Sequence, residues 1–185
     1  MLRRSLIAVV AAASLLAAGC GDKISNVTQG EDEGTFVDVG PLAYQVQISR
    51  LLNPYDTEDK AYLSGLPAGT QADQPGQLWF GVFVRIKNYS DQTQMPAPAS
   101  GYTITDTEHD TFRPVALNRR LNWYAYTPSK ILPAAWFPNP LTTAGINPIN
   151  GELLVFRFPL SSFQNRPLDL HINHGGHSAT VSLDL

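Results

Sequence analysis

Residues 77–87, QLWFGVFVRIK, constrain the fold more than any other stretch of this chain. Leu78, Phe80, Val82, Val84 and Ile86 recur at every second position. Trp79 and Phe83 add apolar bulk to the alternate positions, beside Gln77, Arg85 and Lys87. Successive side chains of a strand point to opposite faces. A run this long and apolar on both faces is expected in the middle of a sheet. Asn88-Tyr89-Ser90-Asp91 then supplies a turn.

The rest of the chain keeps the period of two. Tyr44, Val46 and Ile48 alternate with Gln45, Gln47 and Ser49. GYTIT at 101–105 and TFRPV at 111–115 flank Asp106–Asp110 and read as a hairpin with a polar tip. ELLVFRF at 152–158 reads as a second core strand, ended by Pro159. PLDLHIN at 167–173 and SATVSLD at 178–184 alternate cleanly, joined by His174-Gly175-Gly176-His177. No helical period runs beyond about two turns. Fourteen prolines and fourteen glycines punctuate the short strands. The expectation is an all-β fold: an antiparallel immunoglobulin-like β-sandwich of about seven or eight strands, with two long loops. Those loops are residues 53–76 and 116–150. Loops beyond about 15 residues are uncommon and often functional.

The N-terminus reads as an export leader. Arg3 and Arg4 precede an apolar run from Leu6 to Leu16, and the small residues Ala17-Ala18-Gly19 precede Cys20, the one cysteine in the chain. The apolar run is too short to span a bilayer comfortably. The stretch resembles a bacterial lipoprotein signal peptide, in which the cysteine after a small-residue box is lipidated and becomes the first mature residue. Ala17 stands where that family usually has Leu. The resemblance implies a removed leader (1–19), a lipidated Cys20 with a flexible tether (20–34), and a domain over 35–185. It also implies a location on the outer face of the cell membrane, held there by lipid. Composition supports the tether, because GDKISNVTQGEDEG at 21–34 is nearly devoid of apolar residues.

Several phrases in fixed order resemble a family of immunoglobulin-like (telokin-like) domains of surface lipoproteins in Gram-positive bacteria, especially actinobacteria. Val84, Ile86, Asn88 and Ser90 match a V-x-V-x-N-x-S/T strand end. Asp106–Asp110 occupies the turn of a D-x-x-G type, without its glycine. Pro148, Gly151 and Leu154–Pro159 match the entry to an L-V-F-x-V/F-P strand. The resemblance spans about residues 35–185. It implies the sandwich and the surface location, and it brings no catalytic residues.

Three constellations could carry chemistry. His171, His174 and His177 recur every third residue, and converging imidazoles bind Zn, Cu or Ni; the alternative is a solvated hairpin. Trp123, Tyr124, Tyr126, Trp136 and Phe137 are concentrated in the second long loop. They would form a ligand platform or interface, or fold back over the sandwich. Asp106, Glu108 and Asp110, and a second cluster of Asp56, Glu58 and Asp59, offer oxygen ligands to a hard cation, or simply solvate their turns.

Composition narrows the functions. The net charge is −3, and no Lys/Arg block provides a phosphate footprint, which argues against nucleic acid as a partner. One cysteine forms neither an intramolecular disulfide nor a cysteine-based zinc site. No G-x-S-x-G, H-E-x-x-H or P-loop occurs. The expected function is a non-catalytic binding or accessory module at the cell surface, without a cofactor, whose partner is a protein or small ligand. The alternative is a metal-binding lipoprotein using the C-terminal histidines.

Overall fold

Gln77–Asn88 is the axis of the fold in the computed structural model, which describes residues 26–183. Cys20 and the leader lie outside the described residues. Ten strands form, in chain order β1 (Gln29–Gly30), β2 (Phe36–Val39), β3 (Leu42–Leu52), β4 (Gln77–Asn88), β5 (Tyr102–Thr105), β6 (Thr111–Phe112), β7 (Trp136–Phe137), β8 (Glu152–Pro159), β9 (Leu168–His174) and β10 (His177–Leu183). That is more than the seven or eight expected. The excess comes from β1 and β7, of two residues each, and β2, of four, all too short to leave a clear period in the sequence, whereas β6 falls within the hairpin read at 101–115. Two short helices, α1 (Thr57–Tyr62) and α2 (Thr143–Ile146), sit in the long loops.

The strands make a two-sheet β-sandwich. One sheet runs β1-β10-β9-β5-β6. In the other, β2, β3 and β4 follow one another, and the far edge of β4 carries β8 and then β7. All pairings between these strands are antiparallel except β1 with β10. Phe80, Val82, Val84 and Ile86 of β4 face the other sheet, where they meet Leu170, Ile172 and Val181 in the main core. Trp79 and Phe83 point the other way. They nucleate a second cluster with Leu52, Tyr62, Leu63, Leu153 and Val155 on the outer face. Both faces of β4 are thus covered, as its composition requires, and the outer cover is built from the long loops.

Two expectations are corrected. Ile48 does not share a face with Tyr44 and Val46. A β-bulge at Gln47 shifts the register, so that Val46 opposes Val84 but Ile48 opposes Phe83. One extra residue inverts the alternation, which leaves Ile48 partly exposed and turns Ser49 inward. The domain also begins before residue 35. The Asp38 N–H donates to the Val27 carbonyl at 2.6 Å and Thr180 to that of Thr28 at 2.9 Å. The Glu33 carboxylate accepts the Ser49 N–H at 2.9 and 3.0 Å. Main-chain pairing at a sheet edge needs no apolar side chains, so composition alone reads residues 26–34 as tether.

Candidate functional site

At the far end of β3 the chain turns away from the sheet, and a strap at Ala72–Gly76 returns to start β4. Between them lies a solvent-open pocket of about 370 Å³. Its apolar lining comes from Leu51, Leu52, Pro54, Pro75, Leu78 and Trp79, and Tyr55, 73 % exposed, also lines it.

Local chemistry holds this lining in place. Asp56 caps α1, accepting the N–H groups of Glu58 at 2.8 Å and Asp59 at 3.1 Å. These backbone bonds hold the Asp56 carboxyl below its ordinary pKa. The buried Asp59 carboxylate accepts the Asn53 N–H at 2.7 Å and pairs with Arg50. The Trp79 indole N–H donates to the Ala72 carbonyl at 2.7 Å, which ties the strap to the sheet. Arg157 on β8 donates to Gln74 of the same strap. The acidic residues 56 and 59 therefore serve as a cap and a strut. Asp106 is similarly committed: it is buried and accepts the N–H groups of Glu108 at 3.1 Å and Asp110 at 2.9 Å, closing the β5–β6 turn.

The five aromatics of the second loop do not form one platform. Tyr126 and Phe137 are buried in the main core. Tyr124 packs edge-on against Tyr62 at 4.9 Å, under the outer cluster. Trp136 lies half-buried, with the Arg85 guanidinium 3.8 Å from its ring centre and the Lys87 ammonium at 4.7 Å. Trp123 alone of the five is well exposed, at 66 %. Four of the five rings therefore pack inside or against the sandwich, and Trp123 does not.

The three histidines do not converge either. His171 is held on the outside of its sheet between Thr105, 2.8 Å from Nε2, and Thr180, 3.1 Å from Nδ1. His174 is three residues on, so strand alternation turns it to the opposite face. His174 and His177 are cross-strand partners. They belong to β9 and β10, with Gly175-Gly176 alone forming the turn. Among the described residues no three His, Cys, Asp or Glu side chains are grouped to hold a metal ion.

A buried polar network lies between the sheets that the sequence reading missed. Tyr126 Oη donates to the Ala97 carbonyl at 2.6 Å, and Tyr102 Oη donates to Tyr126 Oη at 3.0 Å. The Ala97 N–H donates to Tyr44 Oη at 2.8 Å. Burial pushes the Tyr44 hydroxyl up to about 12, and those of Tyr102 and Tyr126 well above the ordinary 10. Glu152 also faces inward. Burial raises its carboxyl to about 7, against the pull of the Thr127 N–H and of Arg119. The pocket was missed as well. Its one sequence signal was the length of the 53–76 loop, because Leu51, Trp79 and the strap come together only after folding.

No family model and no curated protein matches this sequence. Solved structures similar to it include these two. The yjhA protein from Bacillus subtilis superimposes with a TM-score of 0.50 at 11 % identity, covering 83 % of this chain and 99 % of that one. A β-sandwich protein from Clostridium difficile, described as uncharacterized, gives 0.44 at 10 % identity, covering 89 % and 99 %. At these identities the likeness concerns fold alone.

Proposed function

We propose that this chain is a lipid-anchored, non-catalytic binding module at the outer face of the cell membrane, which takes an apolar or aromatic group into the Leu51–Trp79 pocket. The anchor rests on the leader and Cys20. The observation that carries the binding reading is the pocket's position. Asn26, where the described chain begins, lies beside Gly40 and Pro41 at the start of β3. The pocket lies at the other end of that eleven-residue strand, roughly 35 Å away at about 3.3 Å per residue. Cys20 is six residues before Asn26, a reach of at most about 20 Å. A protein tethered there has its Asn26 end toward the bilayer and its pocket toward the surroundings. The largely apolar lining, with Asn53, Asp73, Gln74 and Gln77 as polar groups, suits a ligand site.

Two measurements test the two halves. Cys20→Ser should move the protein from the membrane to the soluble fraction; unchanged retention refutes the anchor. Titration of small aromatic fragments into the isotope-labelled protein should shift amide resonances of residues 51–55 and 72–79. Shifts scattered elsewhere, or none at millimolar fragment, refute the pocket.

A further inference from the structure

We propose that His174, His177 and Met95 form a copper(I) site at the open end of the sandwich, where the β9–β10 and β2–β3 turns meet. The inference is independent of the lipid anchor and of the Leu51–Trp79 pocket.

The turn makes the histidine pair. Gly175 and Gly176 have φ of 58° and 81°, a left-handed pair that suits a two-residue hairpin connection. This fixes the register so that His174 opposes His177. Directly opposed residues hold their Cβ atoms about 4.5–5.5 Å apart, close enough for two imidazoles to meet on one ion. The pair continues the face of Ile172 and Ala179, which are themselves opposed and buried in the main core. Both rings therefore lie on the side of their sheet that looks toward the other sheet, just beyond the last core layer.

The opposite wall is the β2–β3 turn. Gly40, with φ of 61°, has no side chain, and the His177 ring packs where one would be: a Cβ there would lie 3.1 Å from His177 Cδ2. His174, His177 and Met95 line the same hollow of about 220 Å³, together with Val39, Pro41, Leu42 and Gln94. Among the described residues neither imidazole is engaged in a hydrogen bond, whereas His171 is held by two threonines.

Donor chemistry selects the metal. Two imidazole nitrogens and a thioether sulfur are borderline and soft donors, and no carboxylate lines this hollow. Structural zinc takes four thiolate, imidazole or carboxylate donors, and calcium takes six to eight oxygens. Copper(I) accepts soft donors and low coordination numbers, and the apolar side chains of Val39, Pro41 and Leu42 beside the pair favour the lower charge state. Asp38 lines the adjoining hollow with His177, but its carboxylate accepts the Val27 N–H at 2.9 Å.

The test titrates copper(I) alone, under anaerobic reducing conditions, against a chromophoric copper(I) chelator. The protein is the full chain in detergent micelles carrying Cys20→Ser, which removes the competing thiol. One equivalent should be retained per chain. His174→Ala, His177→Ala and Met95→Leu should each weaken retention about tenfold or more, while His171→Ala and His109→Ala leave it unchanged. Metal-free melting temperatures of all variants are measured alongside, and an alanine variant that melts lower is replaced by the glutamine one. Retention that survives loss of both His174 and His177, or equal sensitivity to His171→Ala, overturns the site. Insensitivity to Met95→Leu overturns the donor set, and absence of a one-to-one complex overturns the proposal outright.

Discussion

The Glu152 carboxylate, buried at the start of β8, accepts the backbone N–H of Thr127 at 2.7 Å. Arg119 stands 3.4 Å from its other oxygen and donates to the carbonyls of Trp123 and Ala125, both at 2.9 Å. One buried acid thus pins the start of the second long loop to the first residue of β8. Its carboxyl titrates near 7 in the folded protein, against an ordinary 4.5. An acid whose folded pKa is raised is more costly to ionise in the folded state than in the unfolded one. Its stabilising share is present below about pH 4.5 and is lost as pH rises through 7, at a cost of about 3 kcal/mol. Glu152→Gln should flatten stability between pH 4.5 and 7.5 and raise it at pH 8, offset in part by the lost pairing with Arg119. Denaturant midpoints of both proteins across that range decide it. A wild-type midpoint that climbs through this window while the variant stays level would refute the assignment.

Tyr126 is a buried clamp on the Ala97 carbonyl as well as a core ring, stacked edge-on with Tyr102 at 5.2 Å and Phe137 at 5.5 Å. Tyr126→Phe keeps the ring and removes the hydroxyl, leaving the Ala97 carbonyl and the Tyr102 hydroxyl without their partner. The expected cost is about 1–3 kcal/mol, read as a drop of several degrees in Tm. Trp123→Ala, at an exposed position of the same loop, should move Tm by no more than about 0.5 kcal/mol equivalent. Equal effects from the two substitutions would contradict the division of this loop into buried and exposed rings.

What could be read in the sequence was whatever alternation encodes. The two-faced apolar pattern of β4 marks it as a covered central strand, and β8, β9 and β10 follow from their own periods. Three features left no such trace. The bulge at Gln47 resembles an ordinary alternation until its partner strand shows the slip. The pairing of β1 with β10 uses backbone groups, to which composition is blind. The histidines looked like one triplet because spacing along a chain does not show which face each residue takes; an odd step along a strand separates His171 from the other two. The aromatic loop was visible as aromatic, but burial of its rings depends on the distant partners Tyr62, Tyr102 and Arg85.

Asp59 links the pocket to the sheet, holding Arg50 of β3 and the N–H of Asn53 at once. Asp59→Ala should destabilise the domain by about 1 kcal/mol, since it removes the buried carboxylate that holds the Arg50 guanidinium and the Asn53 N–H together. The greater effect should be local. Amide exchange at residues 53–63 should accelerate while β9 and β10 keep their protection, because the outer cluster can loosen without opening the main core. Uniform acceleration across both sheets would count against an independent outer layer.

The start of the domain gives the sharpest contrast between composition and backbone pairing. A chain beginning at Asn26 keeps β1, the bond from Asp38 to Val27 and the Glu33 carboxylate on the Ser49 N–H. A chain beginning at Thr35 loses all three and leaves the outer edge of β10 unpaired. The first should melt at the temperature of the longer protein. The second should melt several degrees lower and self-associate more readily, because an open strand edge pairs with other chains. Light scattering and thermal unfolding of the two truncations measure both effects. Indistinguishable melting would mean that residues 26–34 rest on the sandwich without supporting it.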